Sequence, residues 1–76
     1  MNLIPAGLVP GPKLSMDEFC KTYDLPEFIL TWFTQNGFRS TAGLQFVKVH
    51  ELRDMGFKPG EIMEIWDAVE EWAQKA

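Results

Sequence analysis

A chain of 76 residues, 46% hydrophobic and 13% aromatic, has room for one small core and is too apolar to stay disordered. Its net charge of −4 argues against a surface that tracks phosphates, so nucleic acid is an unfavoured partner, and the single cysteine, Cys20, excludes an internal disulfide. No apolar run reaches the roughly 20 residues that span a bilayer, and no basic segment precedes the first apolar residues, so the expectation is an intracellular protein, in cytoplasm or nucleus, with Cys20 reduced and no membrane contact.

Residues 1–13, MNLIPAGLVPGPK, hold Pro5, Pro10 and Pro12 together with Gly7 and Gly11, which prevents a continuous helix. This segment reads as a linker or an extended arm. Leu3, Ile4, Leu8 and Val9 make it apolar for a free tail, so they either lie against the domain or dock on a partner. A helical domain is expected over residues 14–76.

Ser15-Met16-Asp17-Glu18 fits a capping box, in which the serine hydroxyl accepts a backbone N–H and Glu18 reaches back to the Ser15 N–H. The helix that follows can turn Phe19, Cys20 and Tyr23 inward, and Asp24-Leu25-Pro26 ends it and begins the next. The second helix spans about residues 26–36, with Phe28, Ile29, Trp32 and Phe33 as its buried face and Gly37 as its stop. Ser40 or Thr41 then caps a helical turn that holds Leu44, Phe46 and Val47. Val49, Leu52 and Met55 mark a further turn or two that ends at Gly56. LQFVKV also has strand composition, but nothing else alternates with period two, and a lone strand would leave its backbone groups unpaired.

The closing stretch, Pro59 to Ala76, is the longest periodic one. Ile62, Ile65, Trp66, Val69, Trp72 and Ala73 fall on one face of a helix of about 16 residues starting at Glu61, roughly 24 Å long. Glu61, Glu64, Asp67 and Glu71 occupy the other side. The first turn is acidic, where the positive end of the helix dipole favours carboxylates. The fold class is thus all-α: a small bundle of five helices with a long C-terminal helix.

That order, with Leu25 to Phe33 as helix two, the group Leu44, Phe46 and Val47 as helix three, Leu52-x-x-Met55-Gly56-Phe57 before the long helix, and Gly60 with the Ile62, Ile65, Trp66 and Val69 stripe, resembles a sterile alpha motif (SAM) domain over about residues 14–74. Met55-Gly56-Phe57 is also similar to the Met-Gly-Phe turn of ubiquitin-associated domains, where it contacts ubiquitin. Such a domain needs two helices after the turn, whereas residues 61–76 show one unbroken stripe.

Nothing in the chain suggests an enzyme, a metal or a cofactor. His50 is the lone histidine and Cys20 the lone cysteine, so neither a Cys/His metal site nor a paired nucleophile is available. No glycine-rich phosphate loop is present. What remains is surface. Segment 37–60 is net basic and segment 61–76 net acidic. The SAM resemblance implies a protein-interaction module, homotypic or heterotypic, working through two unlike patches. The end-helix patch would comprise Phe57, Lys58, Pro59, Gly60, Glu61 and Glu64, and the mid-loop patch Arg39, Lys48, His50 and Arg53. Phe57 and Pro59 would supply apolar contact, and the charges orientation and on-rate. An RNA-hairpin reader, as a minority of SAM domains are, would have to use the same four basic residues.

Overall fold

Ser15 opens helix α1 (Met16–Thr22) by accepting the Glu18 backbone N–H on its hydroxyl at 3.1 Å. Glu18 meets that hydroxyl at 3.2 Å and not the Ser15 N–H, so the expected box is only half formed. The backbone on either side of Ser15 is tied to a distant segment instead. Met16 N–H donates to the Arg39 carbonyl and Thr41 N–H to the Leu14 carbonyl, both at 2.9 Å. This cross-link lets α1 begin where residues 39–41 fix it.

The computed structural model describes residues 2–75, with Met1 and Ala76 outside the described residues. Helix α1 is followed by α2 (Glu27–Gln35), a 3-10 helix (Thr41–Phe46), α3 (Val49–Asp54) and α4 (Pro59–Trp72). The five helices appear in the expected order and only the last is long. One element departs from an all-α reading, because strand β1 (Leu8–Val9) pairs antiparallel with β2 (Gln74–Lys75). Helix α4 therefore stops at Trp72, and Ala73 turns to extended backbone to feed the ribbon.

Proline and glycine keep residues 2–13 out of helix and leave their backbone donors and acceptors free for partners elsewhere. Leu3 is fully buried in the core, and its N–H donates to the Val47 carbonyl at 3.0 Å. Burying one leucine contributes about 1.5–3 kcal/mol. Pro12 is the point where three segments meet: its carbonyl accepts from Thr41 Oγ1 at 3.2 Å and from the Trp72 indole N–H at 2.8 Å. Thr41, itself fully buried, also accepts the Leu14 N–H at 2.9 Å. Gly11 has to be glycine, since a Cβ there would stand 2.0 Å from the Trp72 carbonyl oxygen.

The core joins Leu3 to Met16, Phe19, Ile29, Phe33, Leu44, Leu52, Ile65, Val69 and Trp72. Several side chains expected inside are elsewhere. On α2 only Ile29 and Phe33 are buried, whereas Phe28 is 44% and Trp32 38% exposed. The 3-10 helix turns in three residues, so Thr41, Leu44 and Val47 line up inward and Phe46, 78% exposed, points out. On α4, Ile62, Ile65, Val69 and Trp72 are buried as expected. Ala68 joins them, while Trp66 and Ala73 are half-buried at the edge of the stripe.

Candidate interaction surfaces

The turn from α3 into α4 is set by Gly56, Lys58 and Glu61. Gly56 adopts a φ of +102°, which a side chain rarely tolerates, and the Trp32 ring lies directly over it. The Trp32 indole N–H donates to the Met55 carbonyl. Glu61 Oε1 accepts the Lys58 N–H at 2.8 Å, and Glu51 Oε1 accepts the Lys48 N–H at 3.0 Å. Both short connections thus enter their helices through the same Lys-x-x-Glu device, half of a capping box without the serine.

These constraints sort the end-helix residues. Phe57 is a correction. It is 3% exposed and wedged beside Phe33 and Trp32, with ring centroids 5.3 and 6.5 Å away, so it supplies core packing and no contact to a partner. The same burial removes it as a ubiquitin contact, and α4 runs unbroken from Pro59 to Trp72 where a ubiquitin-associated domain would need two helices. Lys58, Pro59, Gly60 and Glu64 are exposed, and Glu61 is half-buried with its carboxylate engaged in capping.

The mid-loop residues Arg39, Lys48, His50 and Arg53 are all exposed, but they do not form one patch. Glu51 and Asp54 turn into a groove shared with Asn36, Phe38 and Val47. His50 and Arg53 do not line it, and Arg39 lies in a neighbouring hollow with Gly37 and Gly43. Two carboxylates therefore come between Arg39 and the basic side of α3.

Residues outside both expected sets are more prominent. Met63 is 59% exposed, one turn beyond Pro59 on α4. Phe28 is exposed on α2 four residues before Trp32, whose ring covers Gly56, and Pro26 at the start of α2 shares a groove with Glu64 and Ala68. Phe46, 78% exposed, lies at the end of the 3-10 helix. The signal for Phe46 was in the spacing: 41, 44 and 47 recur every three residues, the period of a 3-10 turn, and 46 falls off it.

The carboxylates Asp24, Glu64, Asp67 and Glu71 surround a shallow groove of about 370 Å³ between the α1–α2 turn and α4. Among the described residues one ion pair forms, Asp17 with Lys21 at 3.0 Å on the exposed face of α1. An exposed i,i+4 pair contributes only about 0.3–0.5 kcal/mol. Cys20 sits between α1 and α2, where burial and then the charge of Asp17 push its thiol up to about 11. It stays protonated at neutral pH, which is the wrong state for a nucleophile. No group of three or more His, Cys, Asp or Glu among the described residues is arranged to hold a metal ion. No helix among them is long and apolar enough to cross a membrane.

No family model, curated protein or solved structure matches the chain significantly.

Proposed function

We propose that the chain is a non-catalytic protein–protein interaction module of the sterile alpha motif type. It associates with a second copy or with another such domain through the start of α4 and the exposed cations of the middle segment. The observation that carries this reading is the exposure of Lys58, Pro59, Gly60, Met63 and Glu64 over the first turns of α4, next to the turn at Gly56 that the half-exposed Trp32 ring covers, with Phe28 also exposed on α2. An apolar centre with a charged rim is the anatomy of a protein interface. The order of five helices with one long closing helix supports the same class. On the opposing side Lys48, His50 and Arg53 supply the basic contacts, and Arg39 is peripheral to them.

Sedimentation velocity over a wide concentration range, at low and high salt, tests the reading. Mass that grows with concentration and falls back in salt is expected. Met63→Asp and Arg53→Glu, both at exposed positions, each abolish that growth with the helical circular dichroism unchanged. Association that survives both substitutions assigns the contact to other surfaces. A native chain that is monomeric throughout moves the partner to a different SAM-like protein.

A further inference from the structure

Three of the four α-helices run into a residue whose backbone turns left-handed: α1 into Asp24 with a φ of +55°, α2 into Gly37 at +88° and α3 into Gly56 at +102°. Helix α4 has no such stop. Ala73, Gln74 and Lys75 follow Trp72 with neither glycine nor proline, and all three are strong helix formers. The last turn holds Glu70 and Glu71 and no basic residue, an arrangement that the negative end of the helix dipole disfavours. A continued helix would correct this. Lys75 would stand four residues after Glu71, in the favourable order for an ion pair.

What stops α4 is the arm. Gly11 lies against the Trp72 carbonyl, so close that a Cβ would stand 2.0 Å from its oxygen, and the Trp72 indole is bonded to the Pro12 carbonyl at 2.8 Å. Leu8 and Val9 pair with Lys75 and Gln74. Ala73 accordingly leaves the helix with a ψ of 158°, although its N–H still reaches the Val69 carbonyl at 2.8 Å. The backbone groups of residues 74 and 75 cannot serve ribbon and helix at once. The arm itself is lightly held. Of residues 2–12 only Leu3 is fully buried, and its N–H bonds to Val47 and not to the ribbon.

We propose that the arm and the end of α4 form a conformational switch. With the arm docked, residues 73–75 feed the ribbon and α4 stops at Trp72. When the arm lifts, the Leu3 and Pro12 hydrogen bonds break together, α4 winds on through Lys75, and the longer helix recovers part of what the ribbon loses. A segment with one buried anchor opens at a lower free energy than the whole domain unfolds. Release uncovers the apolar site that Leu3 fills beside Val47 and frees the backbone of Lys48, which Asn2 bridges, so the arm is a strap across the entry to α3. The equilibrium lies within one copy of the chain and does not depend on the proposed association.

Leu3→Asp in the full chain populates the released state, since a carboxylate cannot occupy a fully buried apolar site. The Cα chemical shifts of residues 73–75 are expected to move from extended to helical values, with the amides of Ile65 and Val69 still protected from exchange. Shifts that stay extended, shifts that become random coil, or loss of the helical circular dichroism overturn the proposal. A second variant acts on the other state. Gln74→Thr with Lys75→Thr, both at exposed positions, favours strand over helix and removes the partner of Glu71. Amide exchange at Leu3 is expected to slow about fivefold while exchange at Ile65 and Val69 changes by less than about twofold. Exchange at Leu3 that does not change, or that changes only as much as at Ile65 and Val69, also overturns it.

Discussion

The indole N–H of Trp72 donates to the carbonyl of Pro12 at 2.8 Å, across 60 residues of sequence. This bond ties the last turn of α4 to the extended arm, and Thr41 secures the same carbonyl from the 3-10 helix. Three segments that share no local sequence relation thereby close around one acceptor. The arm is a wall of the core, with Leu3 as its anchor.

Gly11→Ala tests that closure. The added methyl would sit 2.0 Å from the Trp72 carbonyl oxygen and 2.9 Å from the indole, and a backbone atom cannot swing aside as a flexible side chain would. The arm has to lift, with loss of the Pro12 hydrogen bonds and partial exposure of Leu3. A destabilisation of about 3 kcal/mol is expected in urea unfolding, with faster hydrogen exchange at the Leu3 amide. Leu3→Ala should cost about 2–5 kcal/mol by the usual cavity penalty. Native-like stability in both variants would mean that the arm is not part of the folded unit.

Gly56 and Gly60 should respond in opposite directions to alanine. At Gly56 the backbone is left-handed and the Trp32 ring lies 3.3 Å from the position of the new methyl, so a loss of about 1–3 kcal/mol is expected. Gly60 is inside the first turn of α4 with nothing within 4 Å, and alanine there should stabilise the fold by about 0.4–1 kcal/mol. Thermal unfolding of the two single variants reads both signs.

Trp32→Phe separates structure from surface on α2. It removes the N–H that reaches the Met55 carbonyl and keeps an aromatic ring near Phe57, so it should cost about 1 kcal/mol. Phe28→Ser, on the same exposed side, should change stability by less than about 0.5 kcal/mol. Equal losses in denaturant unfolding would show that Phe28 also contributes to the core.

Cys20 makes stability fall at alkaline pH. Its thiol ionises near 9.0 when unconstrained and is raised to about 11 in the fold, first by burial and then by Asp17. The folded state therefore holds the proton more tightly, and this contribution is complete below pH 9 and is lost as pH rises from 9 towards 11. Unfolding free energy should decline over that window in the native chain and much less in Cys20→Ala. Alkylation by iodoacetamide at neutral pH should be slow until the chain is unfolded.

Much of the helical order was legible because its signals are local. Ser15 as the first cap, Pro26 before α2, Gly37 and Gly56 as stops, and the Ile62, Ile65, Val69, Trp72 stripe each depend on neighbours within a few positions, where helix periodicity acts. The end-helix set was only partly legible. Phe57 reads the same in sequence whether a turn residue points in or out, and Phe33 and Trp32, far away in the chain, decided that it is buried.

What the amino-acid sequence determined by itself is the succession of five helices, the last of them the longest, and the uneven distribution of charge along the chain. The tertiary structure decided the rest: the folding of the arm into the core, the early end of α4 at Trp72, the outward direction of Phe46 and the separation of Arg39 from His50 and Arg53. The physical reason is range. A helix face is chosen by residues three and four apart, but a carbonyl such as that of Pro12 finds Thr41 and Trp72 only when the whole chain has closed.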